Sequence, residues 1–291
     1  MDAAERARNI QRILDSPTYL MVEEDAEFLR RPEMRPVRVQ LELLKPEFVL
    51  NEQGVSSTIV VFGGTQIVDP ATARKRLDAA LHARAGAPED PIRQRAVERV
   101  KRIVAKSRYY DAARAFGQLV SKCCQIDGRC DYVIVTGGGP GIMEAANRGA
   151  HDVGAKSIGL NITLPKEQLP NPYIAPELCF QFHYFALRKM HFLMRAKALV
   201  VFPGGFGTLD ELFDALTLRQ THRMQDIPIV LFGKEYWSHV IDFQYLADEG
   251  VIADEHLDLV SYADTADEAW DVIAKYHKRA ADLSEGHSDD A

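Results

Sequence analysis

Between Ala198 and Leu212 the chain reads Ala198-Leu199-Val200-Val201-Phe202, then Pro203-Gly204-Gly205-Phe206-Gly207-Thr208, then Leu209-Asp210-Glu211-Leu212. The apolar run suits a strand covered on both faces. The glycines after it let the backbone turn tightly and approach a ligand closely. A helix start follows: Thr208 stands where an N-cap belongs, and Glu211, three residues on, is placed as a capping-box acid. Free N–H groups and the helix dipole at such a start favour an anion, typically a phosphate. A buried strand passing through a glycine turn into a helix commits the chain to an α/β layer architecture.

The rest of the sequence repeats that alternation. Strands are expected at Ser57–Phe62, Asp131–Thr136, Lys156–Asn161, Cys179–Phe182, Pro228–Phe232 and Leu259–Tyr262, with helices between them. Strands alternating with helices imply a doubly wound parallel sheet covered on both faces. Ligands in such sheets bind at the carboxyl ends of the strands. The loops after Phe62, Thr136 and Phe202 are therefore expected to share one crevice.

Residues 1–55 read as a helical N-terminal extension, with helices at Ala4–Leu14, Glu23–Leu29 and Val37–Leu44, the last ending before Pro46. Residues 56–280 form the main domain, and a helical insertion interrupts it at about residues 70–108. Within the insertion, Ala71–Ala85 is one helix. Asp90 caps another with Pro91 at its first position, and that helix is expected to run on toward Cys123. Residues 281–291 are small and acidic and read as a disordered tail.

Composition narrows the function classes. A formal charge of −7 disfavours a general nucleic-acid binder, which needs a basic surface. No run approaches the roughly 18 apolar residues of a membrane span, and the polar start Met1-Asp2-Ala3-Ala4-Glu5-Arg6 lacks a signal-peptide core. The four cysteines, Cys123, Cys124, Cys130 and Cys179, match no zinc spacing and read as buried or partly buried free thiols in a reducing cytoplasm. Neither a metal nor a cofactor is expected. Arg93, Arg95, Arg99, Lys101, Arg102, Lys106 and Arg108 make one segment basic. That segment reads as a solvated helix face, with an acidic partner or a phosphate as the alternative.

Two further stretches carry chemistry. Gly137-Gly138-Gly139-Pro140-Gly141 follows a strand, but Ile142 stands where a dinucleotide fingerprint needs glycine, and no Walker lysine follows. It is either a nucleotide loop or a plain tight turn. Arg188, His191 and Arg195 share one helix face, which suits a carboxylate or phosphate partner or a structural ion pair. His183 and His191 are candidate general acids, each also readable as an ordinary core or surface histidine. For Glu211 a capping role and a catalytic role both stand at this stage.

Three segments in this order carry a resemblance: Gly137-Gly138-Gly139-Pro140-Gly141-Ile142-Met143-Glu144, Arg188-Lys189-Met190, and Pro203-Gly204-Gly205-Phe206-Gly207-Thr208-Leu209-Asp210-Glu211. From about Ser57 to Tyr262 the chain resembles the LOG (Lonely Guy) family of Rossmann-like phosphoribohydrolases, whose members are often labelled "lysine decarboxylase". The resemblance implies hydrolysis of the N-glycosidic bond of nucleoside 5′-monophosphates to free base and ribose 5-phosphate, with AMP-like or cytokinin nucleotides as substrates. It implies a homodimer or larger homo-oligomer. Arg188 and Glu211 match the catalytic arginine and glutamate; Gly204, Gly205, Gly207 and Thr208 match the phosphate cradle. Gly63, Gly64, Gly138, Gly139, Gly141, Glu144 and Lys189 match positions around the nucleotide. The first loop departs from the family pattern, reading Gly63-Gly64-Thr65-Gln66 in place of Gly-Ser-Ser or Gly-Ser-Ala-Arg. The family's Tyr-x-x-Ala-Ala pattern, carried here by Tyr109 or Tyr110 with Ala112-Ala113, lies beyond the insertion.

Such a reaction builds positive charge on the sugar. A fixed carboxylate stabilises that charge and orients the attacking water. That work falls to Glu211, while Arg188 either serves the departing base or holds Glu211 ionised. The alternative is a non-catalytic nucleotide or molybdenum-cofactor carrier, which needs the cradle but not the Arg–Glu pair. A pyridoxal-phosphate decarboxylase is disfavoured, because no Schiff-base lysine stands in a recognisable context.

Overall fold

The computed structural model describes residues 1–125, 130–163 and 169–286. The chain divides into two compact units, Met1–Glu47 and Phe48–Ala291.

In the first unit, α1 (Ala3–Leu14) starts at Asp2, whose carboxylate accepts from Glu5 N at 2.7 Å. The short α2 (Ala26–Arg30) is capped in the same way by Asp25. Arg38 donates to the carbonyls of Leu29 and Arg31 at 2.6 and 2.7 Å, satisfying backbone acceptors at the end of α2. The next helix, α3 (Arg35–Glu52), does not stop before Pro46. It continues through the proline at the cost of one intrahelical bond, and its later residue Leu50 is buried.

The second unit is built on a seven-stranded parallel sheet. Its strands are β1 (Thr58–Phe62), β2 (Val133–Thr136), β3 (Ser157–Ile162), β4 (Cys179–Phe182), β5 (Ala196–Val201), β6 (Ile229–Phe232) and β7 (Val260–Ala263). Their order is β4-β3-β2-β1-β5-β6-β7. Every residue of β1, β2 and β6 is buried, as a sheet covered on both faces requires. The expected Rossmann-like doubly wound sheet is therefore present. The order reverses at β1, whose neighbours are β2 and β5, and a crevice opens at the carboxyl ends of such neighbours.

The helices of this unit are α4 (Pro70–Ala85), α5 (Pro91–Lys106), α6 (Arg108–Cys124), α7 (Ile142–Asp152), α8 (Phe185–Met194), α9 (Phe206–Gln220), α10 (Lys234–Val240), α11 (Phe243–Asp248) and α12 (Ala266–Gly286). The helix expected to run from Pro91 toward Cys123 is broken at Ser107 into α5 and α6. Burial explains the break. Helix α6 turns Tyr109, Tyr110, Ala113 and Phe116 into the core, whereas α5 buries only Val97. The basic residues Arg93, Arg95, Arg99, Lys101 and Arg102 of α5 are exposed. Helices α6 and α7 meet at backbone contact. A Cβ on Gly117 would strike the carbonyl of Ala146, and one on Gly149 that of Arg114.

Helix α12 reaches Gly286, so the first part of the segment read as a disordered tail is helical, and residues 287–291 lie outside the described residues. All four cysteines are free thiols; Cys124, Cys130 and Cys179 are partly buried as expected, but Cys123 is exposed near the end of α6.

Candidate active site

The three glycine loops converge. Gly64 N donates to Pro203 O at 2.9 Å, tying the loop after β1 to the loop after β5. Ile142 N donates to Gly64 O at 3.3 Å, which brings in the loop after β2. The fit leaves no room for side chains at the seams. A Cβ on Gly63 would lie 2.5 Å from Ile142, and one on Gly141, whose φ is +76°, would lie 2.5 Å from Gly64 O.

A cavity of about 400 Å³ lies at this junction. Its walls include Gly63, Gly64, Thr65, Gly137, Gly205, Phe206, Gly207 and Thr208, with the side chains of Asn161, Arg188 and Glu211. Apolar walls come from Met143, Ile162, Phe185 and Phe192.

The start of α9 differs from the sequence reading. The helix begins at Phe206 with Gly205 as its N-cap, so Thr208 lies inside the first turn and caps nothing. Its side chain fills the space beside Gly204, where a Cβ would overlap it. No side chain caps the helix, which leaves N–H groups of the first turn open at the cavity wall. Glu211 consequently takes no part in a capping box. It sits at 7% exposure and accepts a hydrogen bond from Arg188 Nη2 at 2.9 Å. The Arg188 side chain is only 13% exposed, and its guanidinium lies 5.5 and 5.4 Å from the ring centroids of Phe185 and Phe192. Such aromatic walls hold a guanidinium in place by cation–π attraction.

Burial pushes the Glu211 carboxyl above its ordinary value. The hydrogen bond and charge of Arg188 oppose that shift, with a smaller contribution from Lys189. Arg188 is thus the main influence that favours the ionised form of this carboxyl.

Other residues singled out by sequence stand elsewhere. Lys189 pairs with Asp210 at 2.9 Å and faces Asp214 at 4.0 Å, and it does not line the cavity. Burial lowers its pKa, but these acids more than compensate and hold it above the ordinary lysine value. Glu144 accepts from Tyr110 Oη at 2.9 Å, also outside the cavity lining. Gly138, Gly139 and Gly141 are buried behind it. Asn171 holds that loop, donating from its backbone to Gly138 O at 2.8 Å and from Nδ2 to Gly139 O at 3.1 Å. Asn171 in turn bonds the fully buried Asn147, which accepts from Thr136 Oγ1 at 2.7 Å.

The expected shared face of Arg188, His191 and Arg195 does not converge on one ligand. Arg195 donates to Val55 O and Asn51 Oδ1 at 2.9 and 2.8 Å. The His191 ring packs on Phe182 at 5.3 Å, the His183 ring meets Tyr184, and neither histidine lines the cavity. Sequence reasoning missed Asn161, Phe185 and Phe192. Asn161 carried a usable signal, because it closes a predicted strand at the end where ligands bind.

A parallel sheet with an uncapped glycine-rich helix start and a buried arginine–glutamate pair at its switch point defines a Rossmann-like α/β protein with a candidate anion-binding site. Residues 143–273 match the family model described as possible lysine decarboxylase. The chain is 30% identical over 185 residues to the cytokinin riboside 5′-monophosphate phosphoribohydrolase LOG3 of Arabidopsis thaliana, spanning 60% of this chain and 80% of that protein. It is 29% identical over 177 residues to LOG4 of the same plant, spanning 59% and 77%. The chain belongs to the LOG family. A solved molybdenum cofactor binding protein from Rippkaea orientalis is similar at a TM-score of 0.41 and 18% identity, over 58% of this chain and 87% of that one. Among the described residues no helix is long and apolar enough to cross a membrane.

Proposed function

We propose that this chain hydrolyses the N-glycosidic bond of nucleoside 5′-monophosphates, taking AMP or cytokinin riboside monophosphates to free base and ribose 5-phosphate. The observation that carries the reading is the buried 2.9 Å contact between Arg188 and Glu211 on the wall of a cavity that also holds the open start of α9. The names of its relatives LOG3 and LOG4 support the same reaction.

The 5′-phosphate sits against the N–H groups at Phe206–Thr208, where helix dipole and unsatisfied donors favour an anion. Glu211, farther along the same helix, points past the phosphate to the sugar. As the C1′–N bond breaks, positive charge develops on the ribose, and the carboxylate stabilises it. Water adds to C1′ and gives its proton to Glu211, while the base leaves with the electron pair of the broken bond and takes up a proton from solvent; Glu211 then returns the water's proton to solvent, so the carboxylate is regenerated. Arg188 is already bonded to Glu211, which favours the role of keeping the carboxylate ionised and aimed.

Purified protein is incubated with AMP, GMP, IMP, CMP, UMP and isopentenyl-AMP beside a Glu211→Gln variant, and free base is followed by chromatography. Base is expected from the wild type, with the variant slower by at least ~10²-fold, the scale of one well-placed polar group. No base from any nucleotide, with binding still seen by calorimetry, refutes the enzyme and leaves a carrier.

A further inference from the structure

Asn161 is the last residue but one of β3, on the side of the cavity away from the cradle. Two strands, β2 and β1, lie between β3 and β5. At the usual spacing of neighbouring strands, Asn161 is about three spacings, or ~14 Å, across the sheet from the end of β5. That is the order of the length of a purine nucleoside monophosphate. If the phosphate lies at the start of α9 and the ribose at Glu211, the base lies toward β3.

The lining agrees with that direction. Met143 follows β2 and Ile162 belongs to β3, so this half of the cavity is walled by apolar side chains suited to a flat ring. Among the described lining residues, Asn161 contributes the polar side chain here. Thr208 and Glu211 belong to the β5 side, Arg188 is bonded to Glu211, and Thr65 follows β1.

The carboxamide is placed with care. It lies against Gly138, where a Cβ would come within 2.6 Å of Oδ1, so a glycine at that position makes its room. Nδ2 donates to Cys179 Sγ at 3.3 Å, and Oδ1 accepts no hydrogen bond within the described residues. Burial pushes the Cys179 thiol above its ordinary value, so the sulfur is a neutral tether at physiological pH. One amide hydrogen is thus held by the protein, and the oxygen is left for a ligand.

We propose that Asn161 is the residue that selects the base, with Oδ1 accepting a hydrogen from the 6-amino group of an adenine-type ring. Asparagine is well matched to adenine, with an acceptor for N6–H and a donor for a neighbouring ring nitrogen. A base alkylated on N6 keeps one N–H and still satisfies Oδ1. A 6-oxo base sets an acceptor against an acceptor and leaves both unpaired. This inference rests on the nucleosidase reading above, and the test separates the two.

The experiment measures kcat/KM on AMP, IMP and purine riboside 5′-monophosphate for the wild type, Asn161→Leu and Asn161→Asp. The wild type is expected to favour AMP over the other two by about tenfold or more, the discrimination of one good base contact. Asn161→Leu removes the acceptor and brings the ratios close to one. Asn161→Asp keeps an acceptor and keeps the preference for AMP. A wild type indifferent to the 6-substituent overturns the proposal. So does an Asn161→Leu variant that slows all three substrates equally, which assigns the residue to the ribose or to the fold. Absence of base release by the wild type on every nucleotide overturns the nucleosidase reading instead.

Discussion

Replacing Arg188 with methionine keeps the bulk of the side chain but removes the guanidinium that faces Glu211 at 2.9 Å. The carboxylate left behind is 7% exposed and has lost its main cation. Removing one partner of a buried ion pair costs about 3–5 kcal/mol, because the other charge stays buried. A protein of ordinary stability, about 5–15 kcal/mol, survives that loss but registers it clearly. The chain has one escape, which is to protonate Glu211. Burial already pushes that carboxyl up, and Arg188 is the largest opposing influence, so its removal pushes the folded-state value higher still. An acid whose folded value is raised lends stability that is fully present below its unfolded value and is lost as pH rises through the folded one. The deficit of Arg188→Met is therefore smallest in acid and grows toward neutral pH. Urea unfolding of the wild type, Arg188→Met, Glu211→Gln and the double variant from pH 5 to 8 reads this directly. The double variant has no carboxyl to titrate, so its difference from Glu211→Gln should not vary with pH. In kinetics the carboxylate is the working form. Activity should fall as pH drops through the Glu211 value, and Arg188→Met should move that acid limb to higher pH. A deficit below about 0.5 kcal/mol, the range of ordinary surface substitutions, or an acid limb that stays in place, would refute the assigned role of the arginine.

Two contrasts test the rest of the site. A Cβ on Gly207 meets nothing within 4 Å, whereas one on Gly204 overlaps the Thr208 side chain. Gly207→Ala should thus fold with near wild-type stability in urea yet raise KM by crowding the phosphate, while Gly204→Ala should also lose about 1–3 kcal/mol of stability from overpacking. Equal stabilities for the two variants would remove the distinction. Lys189 is paired with Asp210 away from the cavity, so Lys189→Met should leave kcat within about threefold, the small effect expected of an ion pair whose acid stands in solvent; a loss like that of Arg188→Met would place the lysine on the substrate.

Much of the fold was legible in the sequence because its strands are short, largely apolar runs that alternate with helical stretches. Val133–Thr136 and Cys179–Phe182 lie where the pattern puts them. Boundaries decided by tertiary packing were not legible. Pro46 would end an isolated helix, yet α3 continues past it. Nothing local in Ser107 announces a helix break; the break follows from α6 turning onto the core while α5 stays in solvent.

The site divides along the same line. Thr208 and Glu211 have the spacing of a capping box, and local rules cannot tell that spacing from a catalytic one. The outcome depends on Arg188, 23 residues earlier in the chain, which reaches Glu211 only because α8 and α9 flank β5. Because α9 begins at Phe206 with Gly205 as its N-cap, no side chain caps the first turn, and the same early start leaves the helix N-terminus open to an anion and Glu211 free to take Arg188 as its partner. The glycines show a second limit. In sequence Gly63, Gly138, Gly141, Gly204, Gly205 and Gly207 look alike, as if all cradled one ligand. In space Gly205 and Gly207 have open ground where a Cβ would stand, and the other four exist so that Ile142, Asn161, Gly64 and Thr208 can come close. A glycine-rich loop therefore reports two things at once, a surface for the ligand and the packing that aims the side chains around it, and only the second explains why Asn161 stands where it does.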